Sequence, residues 1–143
     1  SNVIPSEGKL MGTVRAMNEA WRFAAHKNIK KYVVETAASM GAVADITIDV
    51  GYPAVFNDEM LSQKAREQAE LFAGKEKVFE TELRMGAEDF AFYAQKIPAC
   101  FFRLGTANKS KGITSGVHTP TFNVDEAAIE HGIGMMAWLA VSC

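Results

Sequence analysis

Cysteine is scarce in this chain, and the two that occur, Cys100 and Cys143, are far apart with no paired spacing. That pattern excludes a disulfide framework or a zinc knuckle and reads as free thiols acting as small hydrophobes. Long apolar runs are missing too: stretches such as Met135 to Val141 fall well short of the roughly 20 residues that cross a bilayer. The N-terminus lacks the basic-then-apolar order of a signal peptide, so a cytoplasmic protein with no membrane partner is expected. Charge of neither sign dominates, with 15 Lys and Arg against 17 Asp and Glu, and without a broad positive field no nucleic-acid partner is expected. There is no P-loop, no Gly-x-Ser-x-Gly and no dinucleotide fingerprint.

What is present is a 143-residue chain of even apolar and charged content, 48% hydrophobic and 22% charged, which reads as one soluble, globular domain. Gly8 to Arg15 alternates, with Leu10 and Val14 on one face and Lys9, Met11, Thr13 and Arg15 on the other, which is the period of a half-buried strand. Asn18 is placed to cap a helix whose apolar positions, from Trp21 through Ile29 and Val33 to Met40, recur every three or four residues and end at Gly41. Val43 to Val50 alternates again, so the first fifty residues read strand, helix, strand.

Gly51, Tyr52 and Pro53 break the pattern, which puts a domain boundary near Pro53. Asn57 and Asp58 then offer caps for a second helix carrying Leu61, Ala65, Ala69 and Phe72 and closed by Gly74. Beyond it the spacing predicts a strand over 78–85, a short helix over 88–96 stopped before Pro98, and a buried strand over 100–104. A loop rich in Gly, Ser, Thr and Lys follows from Gly105 to Pro120. Residues 125–141 read as a helix apolar over most of its circumference, suited to deep packing against a sheet. Alternating helices and strands indicate an α/β architecture.

Three histidines are candidates for metal chemistry. His26 lies in the row Arg22, His26, Lys30 and reads as part of a solvated basic helix face. His131, after Glu130 in the last helix, is placed to cap, pair or pack. His118 differs, because it sits in the Gly- and Thr-rich loop just ahead of the last helix, where small neighbours allow close approach and an imidazole is a common ligand for a divalent transition metal. Glu88 and Asp89 suit a helix start electrostatically, Arg15 has the planar fork that a carboxylate takes, and Asn108-Lys-Ser-Lys reads as a solvated turn.

Three stretches in register carry a family resemblance: Asn2-Val-Ile-Pro followed by Gly12-Thr-Val-Arg, Met85-Gly-Ala-Glu-Asp-Phe, and Gly112 to Phe122 around His118. Together they resemble the aminoacylases, hippurate hydrolases and indoleacetyl-amino acid hydrolases, a family related to carboxypeptidase G type zinc peptidases. The resemblance implies a partial ferredoxin-like lid, a βαβ remnant, in residues 1–52, followed in 53–143 by the C-terminal part of a zinc-peptidase α/β/α sandwich. It implies a parent enzyme that hydrolyses the amide bond of N-acyl amino acids or peptide-like substrates, uses two divalent ions (zinc, manganese or cobalt), and forms a homodimer through its lid.

By the same resemblance His118 is a metal ligand, Arg15 faces the substrate carboxylate, Asn2 makes a polar contact to the scissile group, and Glu88 with Asp89 supports the cleft. The remaining ligands and the general-base glutamate belong to a half of the catalytic domain that has no counterpart here, so no catalytic residue is assigned and the chain alone is expected to be inactive. Thr114-Ser-Gly-Val stands where the family more often has proline and leucine. A non-catalytic dimerisation or binding module derived from this fold is the alternative. With the lid's first strand absent, segments 8–15 and 43–50 are expected either to pair with each other beneath the Trp21 helix or to borrow a strand from a second copy.

Overall fold

A computed structural model describes residues 2–143; Ser1, the first residue of the expected lid portion, lies outside the described residues. The chain divides into two units, one running to Ala54 and including Arg84–Glu88, the other made of Val55–Leu83 and Asp89–Cys143.

The first unit is organised by α1 (Glu19–Ser39). Asn18 has extended backbone and its Oδ1 accepts a hydrogen bond from the Trp21 N–H at 2.9 Å, satisfying one of the orphan donors of the first turn. At the other end Gly41 takes a φ of 73°. Its N–H donates to the Ala38 carbonyl and that of Ala42 to Ala37, the paired closure that a left-handed glycine permits.

Arg22 departs from the expected solvated face, because only 7% of it is exposed. Its guanidinium donates to Glu19 at 3.2 Å from Nε and lies 5.0 Å from the Phe23 ring centroid. Glu19 in turn accepts from the Ala54 N–H at 3.1 Å, beside buried Pro53. Arg22 above all, and the Ala54 N–H, hold the Glu19 carboxyl below its ordinary value against the opposing effect of burial. His26 is half-buried and meets Phe23 edge-on, ring centroids 5.9 Å apart, while Lys30 remains exposed as expected.

Along 43–50 the burial alternates, with Ile46 and Ile48 half-buried between exposed Asp45, Thr47 and Asp49. No strand ladder forms among the described residues, either here or over the other expected strands at 8–15, 78–85 and 100–104. Leu10 and Val43 are 100% exposed.

The second unit is built on α2 (Glu59–Ala73) packed against α4 (Ala127–Ser142). Asp58 caps α2, its Oδ1 accepting from the Leu61 N–H at 2.8 Å, and Gly74 closes it with a φ of 96°. Asn57, the other cap candidate, is used differently: its side chain accepts from the Phe101 N–H at 2.8 Å and donates to the Phe101 carbonyl at 2.9 Å. With Asp58 N–H donating to Ala99, this docks segment 99–101 beside the start of α2.

α4 approaches α2 closely because Gly134 has no β-carbon; one there would stand 2.9 Å from Phe72 Cζ. Trp138 then donates from Nε1 to the Gln68 carbonyl at 3.1 Å and sets its ring 6.4 Å from that of Phe72. Lys64 reaches the Cys143 carbonyl at 2.9 Å, putting a cation at the negative end of α4. The helix expected over 88–96 is shorter, α3 (Ala91–Ala94), with single turns continuing to Ile97, and Phe90 packs at 5.4 Å on Phe101. Cys143 is exposed and Cys100 half-buried, both free thiols, so only Cys100 resembles the buried hydrophobe expected of each.

The chain exposes 12118 Å², whereas even two separate compact bodies of these sizes would expose about 8,700 Å². Asp58→Ala should lower stability by about 1 kcal/mol and Asp58→Asn by much less, since the amide oxygen still accepts from Leu61. Thermal unfolding followed by circular dichroism compares the two; equal losses would show that the cap is not what the carboxylate supplies.

Candidate functional site

The segment around His118 is assembled from its base upward. Asn108 and Ile113 exchange both backbone hydrogen bonds, at 2.8 and 2.9 Å, as an isolated antiparallel bridge around a 3-10 turn over Lys109–Lys111. Asn108 Oδ1 accepts from the N–H groups of Ser110 and Lys111, and Gly112 follows in the left-handed region with a φ of 71°.

The turn is not simply solvated, because two of its side chains converge on Asp125. Asn108 Nδ2 donates to one carboxylate oxygen and Lys111 Nζ to the other, each at 2.6 Å. The Asp125 N–H donates to the Thr106 carbonyl at 2.9 Å. The Asn108 amide first, and the Lys111 ammonium second, hold the Asp125 carboxyl down at about 2. Sequence periodicity places Asp125 only at the head of the last helix; its partners, fourteen and seventeen residues earlier, leave no periodic signal.

Inside this closure lies the turn that carries His118. Its φ is 63°, and it is the one non-glycine with positive φ among the described residues. Histidine is among the residues that tolerate this region better than most, and positions of this kind gather at functional sites. Ser115 and Thr121 share a side-chain hydrogen bond of 2.7 Å across the turn, and Thr119 Oγ1 donates to the Gly116 carbonyl at 2.8 Å. The His118 residue is exposed.

Of the other histidines, His131 donates from Nδ1 to the Ala127 carbonyl one turn earlier on α4 at 3.0 Å, which is a packing role. His26 meets the Phe23 ring in the first unit. Asn2 and Arg15 also lie in that unit, and both are exposed. Neighbouring Val14, with Trp21, Ile29 and Tyr32, lines a shallow groove of about 310 Å³. Glu88 is half-buried and Asp89 exposed, the Asp89 carbonyl accepting from the Phe92 N–H at the start of α3.

One exposed imidazole fits one coordination position of a divalent transition metal. Among the described residues no group of three or more His, Cys, Asp and Glu side chains gathers to hold a metal ion. No helix among the described residues is long and apolar enough to cross a membrane.

Comparison with known proteins places this chain among peptidases and amidohydrolases. It is 33% identical over 142 residues to thermostable carboxypeptidase 1 of Saccharolobus solfataricus, covering 98% of this chain and 35% of that protein. Over 145 residues it is 31% identical to the IAA-amino acid hydrolase ILR1-like 4 of Arabidopsis thaliana, covering 97% and 32%. Over 135 residues it is 32% identical to the N-acetyldiaminopimelate deacetylase of Exiguobacterium sibiricum, covering 94% and 35%. The chain belongs to peptidase family M20/M25/M40, which it matches over residues 5–142. It spans about a third of the length of these curated relatives. No solved structure matches it significantly.

The closure on Asp125 makes the base of the His118 segment sensitive to acid. The folded carboxyl titrates below the ordinary 3.8, so the closure is fully present above 3.8 and fades as pH falls toward about 2. Resonances of the Asn108 side-chain amide, followed from pH 5 downward, should move with a midpoint near 2 and lose that transition in Asp125→Asn. A midpoint at the ordinary carboxyl value would show that the bonds to Asn108 and Lys111 do not form in solution.

Proposed function

We propose that the whole protein to which this sequence corresponds is a metal-dependent amidohydrolase that cleaves the amide bond of N-acyl amino acids or related peptide-like substrates. The observation that carries this reading is the exposed imidazole of His118 on a left-handed turn, in a chain that belongs to the M20/M25/M40 peptidases over nearly all its length. The carboxypeptidase, amino acid hydrolase and deacetylase named among its relatives fit a common amide-cleaving chemistry.

In this proposal His118 holds one coordination position of a divalent ion, zinc, manganese or cobalt, in a site of two. Such an ion polarises an amide carbonyl and lowers the pKa of water. Arg15 takes the substrate carboxylate with two parallel hydrogen bonds, which its planar guanidinium allows and an ammonium does not. Asn2 aims an amide donor at the scissile carbonyl, where a donor of this kind lowers the barrier by roughly 3 kcal/mol.

The architecture proposed with it is α/β: a ferredoxin-like lid portion in residues 1–52, and the C-terminal part of an α/β/α sandwich in 53–143. Segments 8–15 and 43–50 would gain their strand partners from the rest of the lid or from a second copy, with the fully exposed Leu10 and Val43 covered there. Homodimerisation through the lid is the corresponding assembly, and light scattering on the whole protein reads it.

His118→Ala in the whole protein should remove most activity and one equivalent of bound metal; retention of both would show that His118 is not a ligand. Arg15→Lys keeps the charge and loses the fork. Its kcat/KM should fall about tenfold or more for substrates with a free carboxylate and change little for their carboxamides. Equal losses on both substrate classes would assign Arg15 to holding the lid together instead.

A further inference from the structure

A left-handed backbone at a residue with a β-carbon persists only where the surroundings over-determine it. Around His118, with its φ of 63°, the over-determination comes from hydroxyl groups. Ser115 Oγ and Thr121 Oγ1, three residues to either side, share a hydrogen bond of 2.7 Å. Within that ring Thr119 Oγ1 donates to the Gly116 carbonyl at 2.8 Å, and just beyond it the Phe122 N–H donates to the Thr119 carbonyl at 3.1 Å.

Thr121 is exposed and Ser115 half-buried, so water is at hand for both hydroxyls and neither needs the other for satisfaction. What their bond adds is conformational. The Asn108 and Asp125 pair closes a span of 17 residues, too long to fix one residue at its centre. The Ser115 and Thr121 bond closes a span of 6, and a shorter closed loop has fewer conformations to lose when its tip is ordered.

We propose that this hydrogen bond is a clasp that keeps His118 in its left-handed conformation and so aims the imidazole, making Ser115 and Thr121 positioning residues for metal ligation. The ligation half rests on the function proposed above, whereas the clasp is measurable with no metal present. A ligand imidazole whose approach is fixed by neighbouring bonds binds more tightly than one free to swing, and loss of such support typically weakens metal affinity about 10- to 100-fold.

Two variants separate the hydroxyl from the shape of the side chain: Thr121→Val removes the hydroxyl at nearly constant volume, and Thr121→Ser keeps it. Nuclear magnetic resonance of this chain should show the HN–Hα coupling and carbon shifts of His118 leaving their left-handed values in Thr121→Val and in Ser115→Ala. The heteronuclear NOE over 116–120 should fall with them, and Thr121→Ser should retain all three signatures. An unchanged His118 signature in Thr121→Val overturns the clasp. In the whole protein, equilibrium dialysis should find metal half-saturation about tenfold or more higher in Thr121→Val and restored in Thr121→Ser. If His118→Ala loses one metal while Thr121→Val binds as before, the positioning role is overturned. If His118→Ala loses none, the ligand reading fails, and the resonance signatures alone decide the clasp.

Discussion

Within the second unit the segment from Thr106 to Asp125 makes the excursion that carries His118, and one residue, Asp125, closes it with its carboxylate and its own N–H. Asp125 accepts from Asn108 on one oxygen and Lys111 on the other, while its own N–H reaches back to Thr106. One further oxygen contact, with the Ala127 N–H at 3.4 Å, brings the first turn of α4 into the same arrangement. Remove the carboxylate and the 3-10 turn, the loop closure and the approach to α4 all lose a partner together. Charge-assisted bonds to a partly shielded carboxylate are stronger than neutral ones, which suits a group with this many dependents.

The scaffold below that loop depends on a different constraint, the absence of side chains. Glycine inside a helix costs about 1 kcal/mol relative to alanine, and α4 contains both Gly132 and Gly134. A β-carbon at either would fall 2.9 Å from a neighbouring side chain, Leu104 Cδ2 or Phe72 Cζ. The helix therefore trades intrinsic propensity for a closer approach. The approach in turn lets Trp138 reach the Gln68 carbonyl and lie beside Phe72.

Local features of the fold are legible in the sequence and distant ones are not. Helices α1 and α2 follow from apolar spacing and from caps acting over three residues, Asn18 to Trp21 and Asp58 to Leu61, with glycines at their ends. The burial of Arg22 is not legible, because it depends on a Glu19 that also holds Ala54, thirty-five residues away. Nor is the use of Asn57, whose partner Phe101 is forty-four residues distant. Alternation over 43–50 matches the half-burial of Ile46 and Ile48 but not Val50, which is 56% exposed, and says nothing of which strand lies alongside. At the candidate site, small residues and a family resemblance point to His118, yet the backbone conformation that presents it depends on hydroxyl bonds with no periodic trace.

The apolar circumference of α4 extends the same reasoning to what the chain leaves uncovered. Gly134 and Trp138 lie on one side of the helix, facing α2 through Phe72 and Gln68. Ile129, Ile133 and Met136, spaced four and three apart, form a second stripe and are more than half exposed, Ile133 at 66%. Burying one such side chain is worth about 1.5–3 kcal/mol, so a stripe of three left in water forgoes a contribution comparable to a large part of the net stability of a typical small domain. A helix apolar on both sides is built to lie between two layers, and α2 supplies one of them. On the proposed reading the second layer and the remaining metal ligands lie in the part of its relatives' length that this chain does not span. An unsupported apolar stripe and a solitary ligand then have a single physical origin.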